Sequence, residues 1–211
     1  YRPASAAIEN LARRKIPLIF SSSKTLPEIR QLQSEMNISG PCIAENGSVL
    51  AVPESLLNGH EELAADFGTV QSDGLIVDCP GGNRSELVQF LRTIRSDNHF
   101  GFTCFSDLSA GQLADLTGLD SEKASLANQR MSTEPIFWKD TDSAWDQFKN
   151  SLHAHGYAWV QGGRFISISR PFDKKDGVKK MIHLYSQMTP YTIQTVGLGD
   201  SPNDKGMLEM M

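Results

Sequence analysis

Two aspartates near the end of the chain could hold a divalent cation. Asp200 and Asp204 stand four residues apart in the run GDSPND at 199–204, which glycine and proline shape as a turn. The stretch TIQTVGL at 192–198 before it predicts a buried strand. Two carboxylates held this close repel each other unless a cation lies near them. Mg²⁺ suits such oxygen ligands, so Asp200 and Asp204 are predicted Mg²⁺ ligands; the alternative is a solvated turn in which Asp204 caps the next helix.

Two further stretches could bind an anion. The run SSSKT at 21–25 lies between a short apolar strand and a helix, where hydroxyls and backbone N–H groups can hold a phosphate, and Ser22 is the candidate. The lysines of DKKDG at 173–177 precede another helix and could neutralise a phosphoryl oxygen. Lys175 is favoured over Lys174. Taken singly, the first stretch could be only a helix cap, and the second only an exposed charge run.

The elements that must position these residues follow an α/β pattern. Helix, strand, helix and strand succeed one another with short connections over about the first seventy residues, with capping-box spacing at Thr25 and Glu28. From about residue 72 the pattern changes to strands joined by hairpins with helices beside them, and it returns to α/β after Pro171. We therefore expect a discontinuous α/β domain, 1–71 and 171–211, with an inserted α+β domain at 72–170. Ligands of open α/β sheets bind at the carboxyl ends of strands.

Composition narrows the class of protein. The 211 residues are 39% hydrophobic, with a net charge of −5 and a pI of about 5.5, which argues against a nucleic-acid partner but not against a small anionic ligand. No apolar run approaches the roughly 20 residues of a membrane span, and no signal peptide is seen. The three cysteines, Cys42, Cys79 and Cys104, form no CxxC pair. They indicate reduced thiols, so a cytoplasmic location is expected.

Together the three stretches resemble the phosphatases of the haloacid dehalogenase superfamily, in which a hydroxyl residue after the second strand, a lysine before a helix and a GDxxND turn recur in this order. The resemblance implies that Ser22 and Lys175 stabilise a phosphoryl group and that Asp200 and Asp204 bind Mg²⁺. It also implies a three-layer, parallel-sheet (Rossmann-like) core with an inserted C2-type cap, as in the Cof-like branch. Enzymes of this kind form an aspartyl-phosphate on one aspartate, and a second aspartate two residues on acts as acid and base.

The superfamily's first motif, DxDGT, has no match in the sequence. Tyr1 begins about where the helix after that motif would begin, and residues 207–211 stop within a helical pattern. The expectation is therefore a fragment, truncated at both ends and inactive by itself, of a full-length protein that is an active phosphatase.

More specific features look like the mannosyl-3-phosphoglycerate phosphatase family across nearly the whole chain. They are SKT at 23–25, ENG at 45–47, LTGL at 116–119, Ser132 before EPIFW at 134–138, and GGRF at 162–165. This resemblance implies a small phosphorylated sugar-acid substrate and mannosylglycerate as the product.

A substrate with both a phosphate and a carboxylate calls for cations from both domains. Lys24 is the candidate in the α/β domain, and Arg164 beside Gly163 in a hairpin turn is the candidate in the insertion. Glu45 and Asn46 could bond sugar hydroxyls or simply form the turn. Two alternatives stay open: a sugar-phosphate phosphatase or phosphomutase of the same fold, and a non-catalytic binding protein without the nucleophile.

Overall fold

The computed structural model describes residues 2–70 and 73–211, which form two β-sheets with helices packed on them. The first sheet has the order β1-β2-β3-β5-β4, with β1 (Phe20–Ser21), β2 (Cys42–Ala44), β3 (Val49–Pro53), β4 (Thr69–Val70) and β5 (Leu75–Asp78). The second has the order β6-β7-β9-β8, with β6 (Phe102–Cys104), β7 (Glu134–Trp138), β8 (Ala158–Gly162) and β9 (Phe165–Ser169).

The helices follow the predicted alternation. They are α1 (Arg2–Arg13), α2 (Leu26–Glu35), α3 (Glu61–Phe67), α4 (Arg84–Asn98), α5 (Ala110–Thr117), α6 (Ser121–Asn128), α7 (Asp142–Ala154), α8 (Lys174–Gln187) and α9 (Lys205–Leu208). Over the described ranges, none of these helices combines the length and apolarity needed to cross a membrane.

The first sheet is buried on both faces, which gives the predicted three layers. Successive strand residues point to opposite faces. Ile43, Leu50 and Val52 pack with α3 and α8 on one side, and Cys42, Ala44, Val49 and Ala51 pack with α2 on the other. The α2 helix begins as predicted, because Thr25 and Glu28 form a reciprocal capping box. We call this sheet and its helices the α/β unit.

The first sheet is mixed rather than parallel. Only β1 and β2 run parallel, whereas β3 pairs antiparallel with both β2 and β5, and β4 pairs antiparallel with β5. The reason is the short connection at 45–48, because two neighbouring parallel strands need a crossover of about a dozen residues or more. The parallel arrangement expected from the sequence therefore holds for one strand pair.

The stretch 192–198 does not form the predicted buried strand. It pairs with no strand of the described residues, and Val196 and Leu198 are 88% and 89% exposed. A β-strand depends on hydrogen bonds to a neighbouring strand, so a local sequence pattern alone does not fix one. The turn that follows does form, as a short 3₁₀ helix at Pro202–Asp204 leading into α9.

The second sheet and its helices make a separate α+β unit, which we call the inserted unit. Its core joins α4 and α7 to the sheet, with aromatic packing of Phe100, Phe102 and Phe148. The predicted hairpin is confirmed: β8 and β9 are joined by a two-residue turn at Gly163 and Arg164, and Gly163 has φ +59.

The chain passes between the two units at 79–83 and near Arg170. The strand β5 had been assigned to the insertion from its sequence, but it pairs with β3 in the first sheet. The two connecting segments contact each other, because the Arg170 N–H donates to the Gly81 carbonyl at 3.0 Å. The predicted boundary at 71 and 72 falls on residues outside the described part of the chain, so the division into 1–71, 72–170 and 171–211 stays a proposal.

Candidate functional site

Ser22 lies at the carboxyl end of β1, where the chain turns into α2. Its N–H donates to the Ile43 carbonyl at 2.9 Å, and its carbonyl accepts the Asn46 N–H at 2.9 Å. The half-buried hydroxyl accepts the Lys24 N–H at 3.2 Å, and this bond orients it within the turn. The exposed Lys24 ammonium pairs with Glu28 at 2.9 Å along α2. Ser22 is therefore held at the position from which the sequence predicts phosphate binding.

The turn Glu45–Gly47 between β2 and β3 has an unusual backbone. Its three residues all have positive φ, at 50°, 60° and 103°. Gly47 touches the start of α8, because a Cβ added there would lie 2.0 Å from the Asp173 carbonyl oxygen. The Asn46 side-chain oxygen accepts the Asn203 amide at 2.9 Å. We call this turn the junction turn, and we call the GDSPND segment at 199–204 the acidic turn. The junction turn thus contacts the loop at 21–25 that carries Ser22, the acidic turn and the start of α8.

The lysine that reaches the acidic turn is Lys174, not the predicted Lys175. Lys174 is buried, and its Nζ lies 2.5 Å from Asp204 Oδ1. The aliphatic part of the Lys175 side chain lies against Gly206, at the start of α9. The register could have been found from helix periodicity: Lys174 precedes buried Gly177, Val178 and Met181 by three, four and seven residues, so it shares their buried face.

The buried Asp204 carboxylate accepts hydrogen bonds from the backbone of the acidic turn and from Lys174. Its Oδ1 accepts Lys174, while its Oδ2 accepts the N–H groups of Asp200 at 3.2 Å and Ser201 at 3.0 Å. Burial by itself would raise the pKa of Asp204, but the Lys174 hydrogen bond and the backbone N–H groups outweigh it and lower that pKa. Asp204 is therefore the buried carboxylate of this turn, with both oxygens engaged by protein donors, and its role as a Mg²⁺ ligand stays a prediction.

Asp200 is the carboxylate of this turn that could hold a cation. It is exposed, and its Oδ1 accepts the Ser201 hydroxyl at 3.2 Å. Within the described ranges, no cluster of three or more His, Cys, Asp or Glu side chains could enclose a metal. Mg²⁺ needs only one or two carboxylates when waters and phosphate oxygens complete its shell, so the donor set fits Mg²⁺ through Asp200.

Glu45 has a different place from the one predicted. It is fully buried, and its carboxylate accepts four hydrogen bonds from Met131, Ser132 and Thr133 of the inserted unit. These bonds occupy the acceptors that a sugar hydroxyl would need. The correction is therefore that Glu45 joins the two units. Sequence reasoning missed this role because the partner residues lie 86 or more positions away.

Arg164 lies at the tip of the β8–β9 hairpin, next to Gly163. Its guanidinium donates to the Leu116 carbonyl at 3.1 Å, at the carboxyl end of α5. A cation at that end of a helix satisfies free carbonyls. The structure gives Arg164 no hydrogen bond to the described residues of the α/β unit, so a substrate-binding role for Gly163 and Arg164 stays a prediction.

Comparison with known proteins places the fold. No protein-family model matches the chain. A crystal structure of a Thermoplasma acidophilum protein matches 98% of this chain and 72% of its own, with a TM-score of 0.60 and 16% identity. A Thermotoga maritima protein matches 86% and 67%, with a TM-score of 0.53 and 14% identity. A phosphatase of the haloalkanoate (HAD) enzyme superfamily from Bacteroides thetaiotaomicron matches 99% and 73%, with a TM-score of 0.50 and 13% identity.

These likenesses define the class of fold. The chain is an α/β protein with a mixed sheet, helices on both faces and an added α+β unit, and its fold is similar to that of the haloalkanoate-superfamily phosphatase. The α/β fold class predicted from the sequence is confirmed.

Proposed function

We propose that the protein is a phosphomonoester hydrolase of the haloacid dehalogenase type. One observation carries the proposal: a continuous series of contacts joins Ser22 through Asn46 and Asn203 to the acidic turn, where Asp204 meets Lys174. The stretch with Ser22 lies about 150 residues before the one with Lys174, which in turn lies about 25 residues before the acidic turn. The contacts among them support a site that offers a hydroxyl, an ammonium and an exposed carboxylate, which are what a phosphoryl group and its cation require.

Each residue then has a stated role. The Ser22 hydroxyl donates a hydrogen bond to a phosphoryl oxygen, and the Lys174 ammonium, shared with Asp204, neutralises part of its charge. Asp200 would hold Mg²⁺, which supplies further charge neutralisation when bound. We assign no nucleophile, because residues 1–211 contain no DxDGT motif. We accordingly propose that this polypeptide binds phosphate without hydrolysing esters, and that a form carrying that motif is the active enzyme.

The proposed substrate is mannosyl-3-phosphoglycerate, with mannosylglycerate as the product. The support is the set of sequence features shared with that family, together with two exposed cations, Lys24 next to Ser22 and Arg164 in the inserted unit. A phosphate and a carboxylate on one substrate are suited to two such cations. The competing substrate class is a simple sugar phosphate, which lacks the glyceric-acid carboxylate.

Calorimetric titration with inorganic phosphate tests the site. The 1–211 protein should bind phosphate in the presence of Mg²⁺, Ser22→Ala should weaken that binding, and Asp200→Asn should remove its dependence on Mg²⁺. Lys175→Met removes the neighbouring lysine to which the proposal gives no role, and it should bind phosphate as the parent does. Phosphate binding that is indifferent to Ser22 and Asp200 would refute the site.

Substrate choice needs the form that carries DxDGT. Its kcat/KM for mannosyl-3-phosphoglycerate should exceed that for hexose phosphates, and Arg164→Ala should lower the former much more than the latter. Equal efficiency on both classes would favour the sugar-phosphate alternative.

A further inference from the structure

A buried carboxylate, that of Glu45, joins the two units, beside a second contact in which the Thr25 hydroxyl donates to the Leu126 carbonyl. Glu45 Oε1 accepts the Met131 N–H at 2.7 Å, and Oε2 accepts the N–H groups of Ser132 at 3.2 Å and Thr133 at 2.8 Å. The Thr133 hydroxyl adds a fourth bond at 2.7 Å. Consecutive N–H groups directed at one anion form a nest, and bonds to a charged acceptor are stronger than neutral ones. Residues 129–133, which we call the inserted-unit loop, are therefore fastened to Glu45.

The same glutamate lies in a strained backbone. Glu45 and Asn46 both adopt left-handed φ values, which non-glycine residues rarely do, and Gly47 continues at φ +103. Such conformations persist only where the surroundings fix them. Here the fixing contacts are the four bonds from the inserted-unit loop, the Glu45 N–H to the Lys24 carbonyl at 2.8 Å, and the Asn46 N–H to the Ser22 carbonyl.

The other side of the junction turn carries the proposed phosphate site. Asn46 holds Asn203 in the acidic turn, and Gly47 lies against Asp173 and Lys174 with no room for a Cβ. A shift of the junction turn would therefore move the supports of Ser22, the acidic turn and Lys174 together. The three residues of the junction turn thus link the inserted-unit loop, which binds Glu45, to the contacts that Asn46 and Gly47 make with the phosphate site.

The junction is closely packed around Gly81. This residue fits between Ser48 and Ser132, where an added Cβ would lie 2.3 Å and 3.0 Å from their Cβ atoms. The Ser48 hydroxyl is buried without a hydrogen-bond partner among the described residues, whereas the Ser132 hydroxyl contacts Cys79. Opening of the junction would hydrate the Ser48 hydroxyl, which offsets part of the cost of breaking the bonds to Glu45.

We propose that Glu45 is a positioning residue that couples the inserted unit to the phosphate site. Docking of the inserted-unit loop on its carboxylate holds the junction turn in its left-handed form, and the junction turn in turn holds Ser22, the acidic turn and Lys174 in place. When the loop leaves, the turn relaxes and the phosphate site loses its geometry. What the site binds rests on the proposed function, but the coupling itself can be measured without any ligand.

Alkylation of the three cysteines distinguishes opening of the junction from opening of either unit. Cys79 lies at the junction beside Ser132, Cys42 is buried in the first sheet, and Cys104 is buried in the inserted unit. In Glu45→Asp the charge is kept, but the side chain is one methylene too short to reach all of its donors. Alkylation of Cys79 by iodoacetamide should then accelerate on the order of tenfold, as expected when charge-assisted hydrogen bonds are lost, while Cys42 and Cys104 react as in the parent.

Amide hydrogen exchange reports the coupling. Asp204 holds the N–H groups of Asp200 and Ser201, and the Ser22 carbonyl holds that of Asn46. Exchange at these three amides should rise in Glu45→Asp together with the alkylation of Cys79. Thr133→Val removes the bond that the Thr133 hydroxyl donates to Glu45 and leaves Glu45 itself unchanged. It should produce the same pattern to a smaller extent, and it tests the coupling even if the Glu45 variant folds poorly.

Glu134→Gln is the matched control, because Glu134 is an equally buried carboxylate that bonds Arg84 and Ser106 within the inserted unit. It should leave Asn46, Asp200 and Ser201 exchanging at the parent rate. Unchanged Cys79 alkylation in Glu45→Asp overturns the docking role. If Cys79 is alkylated faster in Glu45→Asp but the amides of Asp200 and Ser201 exchange at the parent rate, the coupling is overturned. Failure of the parent to bind inorganic phosphate would refute only the proposed function.

Discussion

At the scale of single residues, the Lys174–Asp204 pair has the largest energetic consequence in the candidate site. Both side chains are more than nine-tenths buried, so each charge depends on the other. Replacing one partner of such a pair leaves an uncompensated buried charge, which costs about 3–5 kcal/mol. We expect Asp204→Asn to lower the free energy of unfolding by that amount in urea denaturation. Asp200→Asn, at an exposed position in the same turn, should change it by less than about 0.5 kcal/mol.

Protonation of Asp204 should have the same effect as its substitution. Its pKa in the folded protein is lowered, against an ordinary aspartate value of about 3.9. The folded state therefore holds fewer protons than the unfolded chain, so the stabilisation is complete above about pH 4 and is lost as the pH falls through the folded pKa. The urea midpoint of the parent should fall on acidification below that pH, and Asp204→Asn should fall less. Equal slopes for the two proteins would show that other carboxylates carry the acid sensitivity.

Thiol reactivity at the residue scale follows from burial. Burial raises the pKa of Cys42 to about 12 and also raises that of Cys104. Since the thiolate is the reactive form, both should resist alkylation at pH 8 in the folded protein, while the half-buried Cys79 reacts first. Mass spectrometry of alkylated peptides measures the order. Early modification of Cys42 would indicate that the first sheet opens locally.

At the scale of elements, alanine substitutions at Gly47 and Gly163 distinguish backbone strain from steric overlap. Gly47 and Gly163 both have positive φ, so alanine at either position costs roughly 1–2 kcal/mol of strain. An added Cβ at Gly163 meets nothing within 4 Å, whereas at Gly47 it overlaps the start of α8. Gly47→Ala should therefore destabilise the protein by about 3 kcal/mol more than Gly163→Ala in chemical denaturation. Similar losses for the two variants would show that α8 shifts freely.

Elements with local signals could be predicted from the sequence, and those that depend on distant partners could not. The capping box at Thr25 and Glu28 and the hairpin at Gly163 are set by neighbouring residues, and both formed as predicted. The strand at 192–198 required a neighbour that no local pattern describes. The buried face of α8 contained the signal for Lys174, but a choice between adjacent lysines made by motif alone gave Lys175.

The candidate site shows the same division. Ser22 and the acidic turn could be named as candidates because hydroxyl and carboxylate runs at predicted strand ends are visible in the sequence. Glu45 was identified as a candidate for the wrong contact, because its four donors come from a loop of the other unit. The structure thus places it between the units rather than in a sugar pocket.

At the scale of the whole molecule, the segment 191–198 exposes three large apolar side chains. Tyr191, Val196 and Leu198 are each at least 80% exposed, and β1 is an edge strand of the first sheet. Exposed apolar side chains and a sheet edge that pairs with no further strand among the described residues both favour association between chains. We expect the 1–211 protein to self-associate with rising concentration, as measured by light scattering.

Val196→Lys combined with Leu198→Lys should suppress this association without lowering the free energy of unfolding, because neither side chain is packed in the folded unit. The control adds the same two charges at exposed polar positions of the same segment, Thr192→Lys and Gln194→Lys. If the control suppresses association equally, net charge rather than the apolar surface governs it. If only the first pair acts, residues 192–198 are the segment through which the chains associate, and their apolar character, which suggested a strand in the sequence, is expressed at the surface instead.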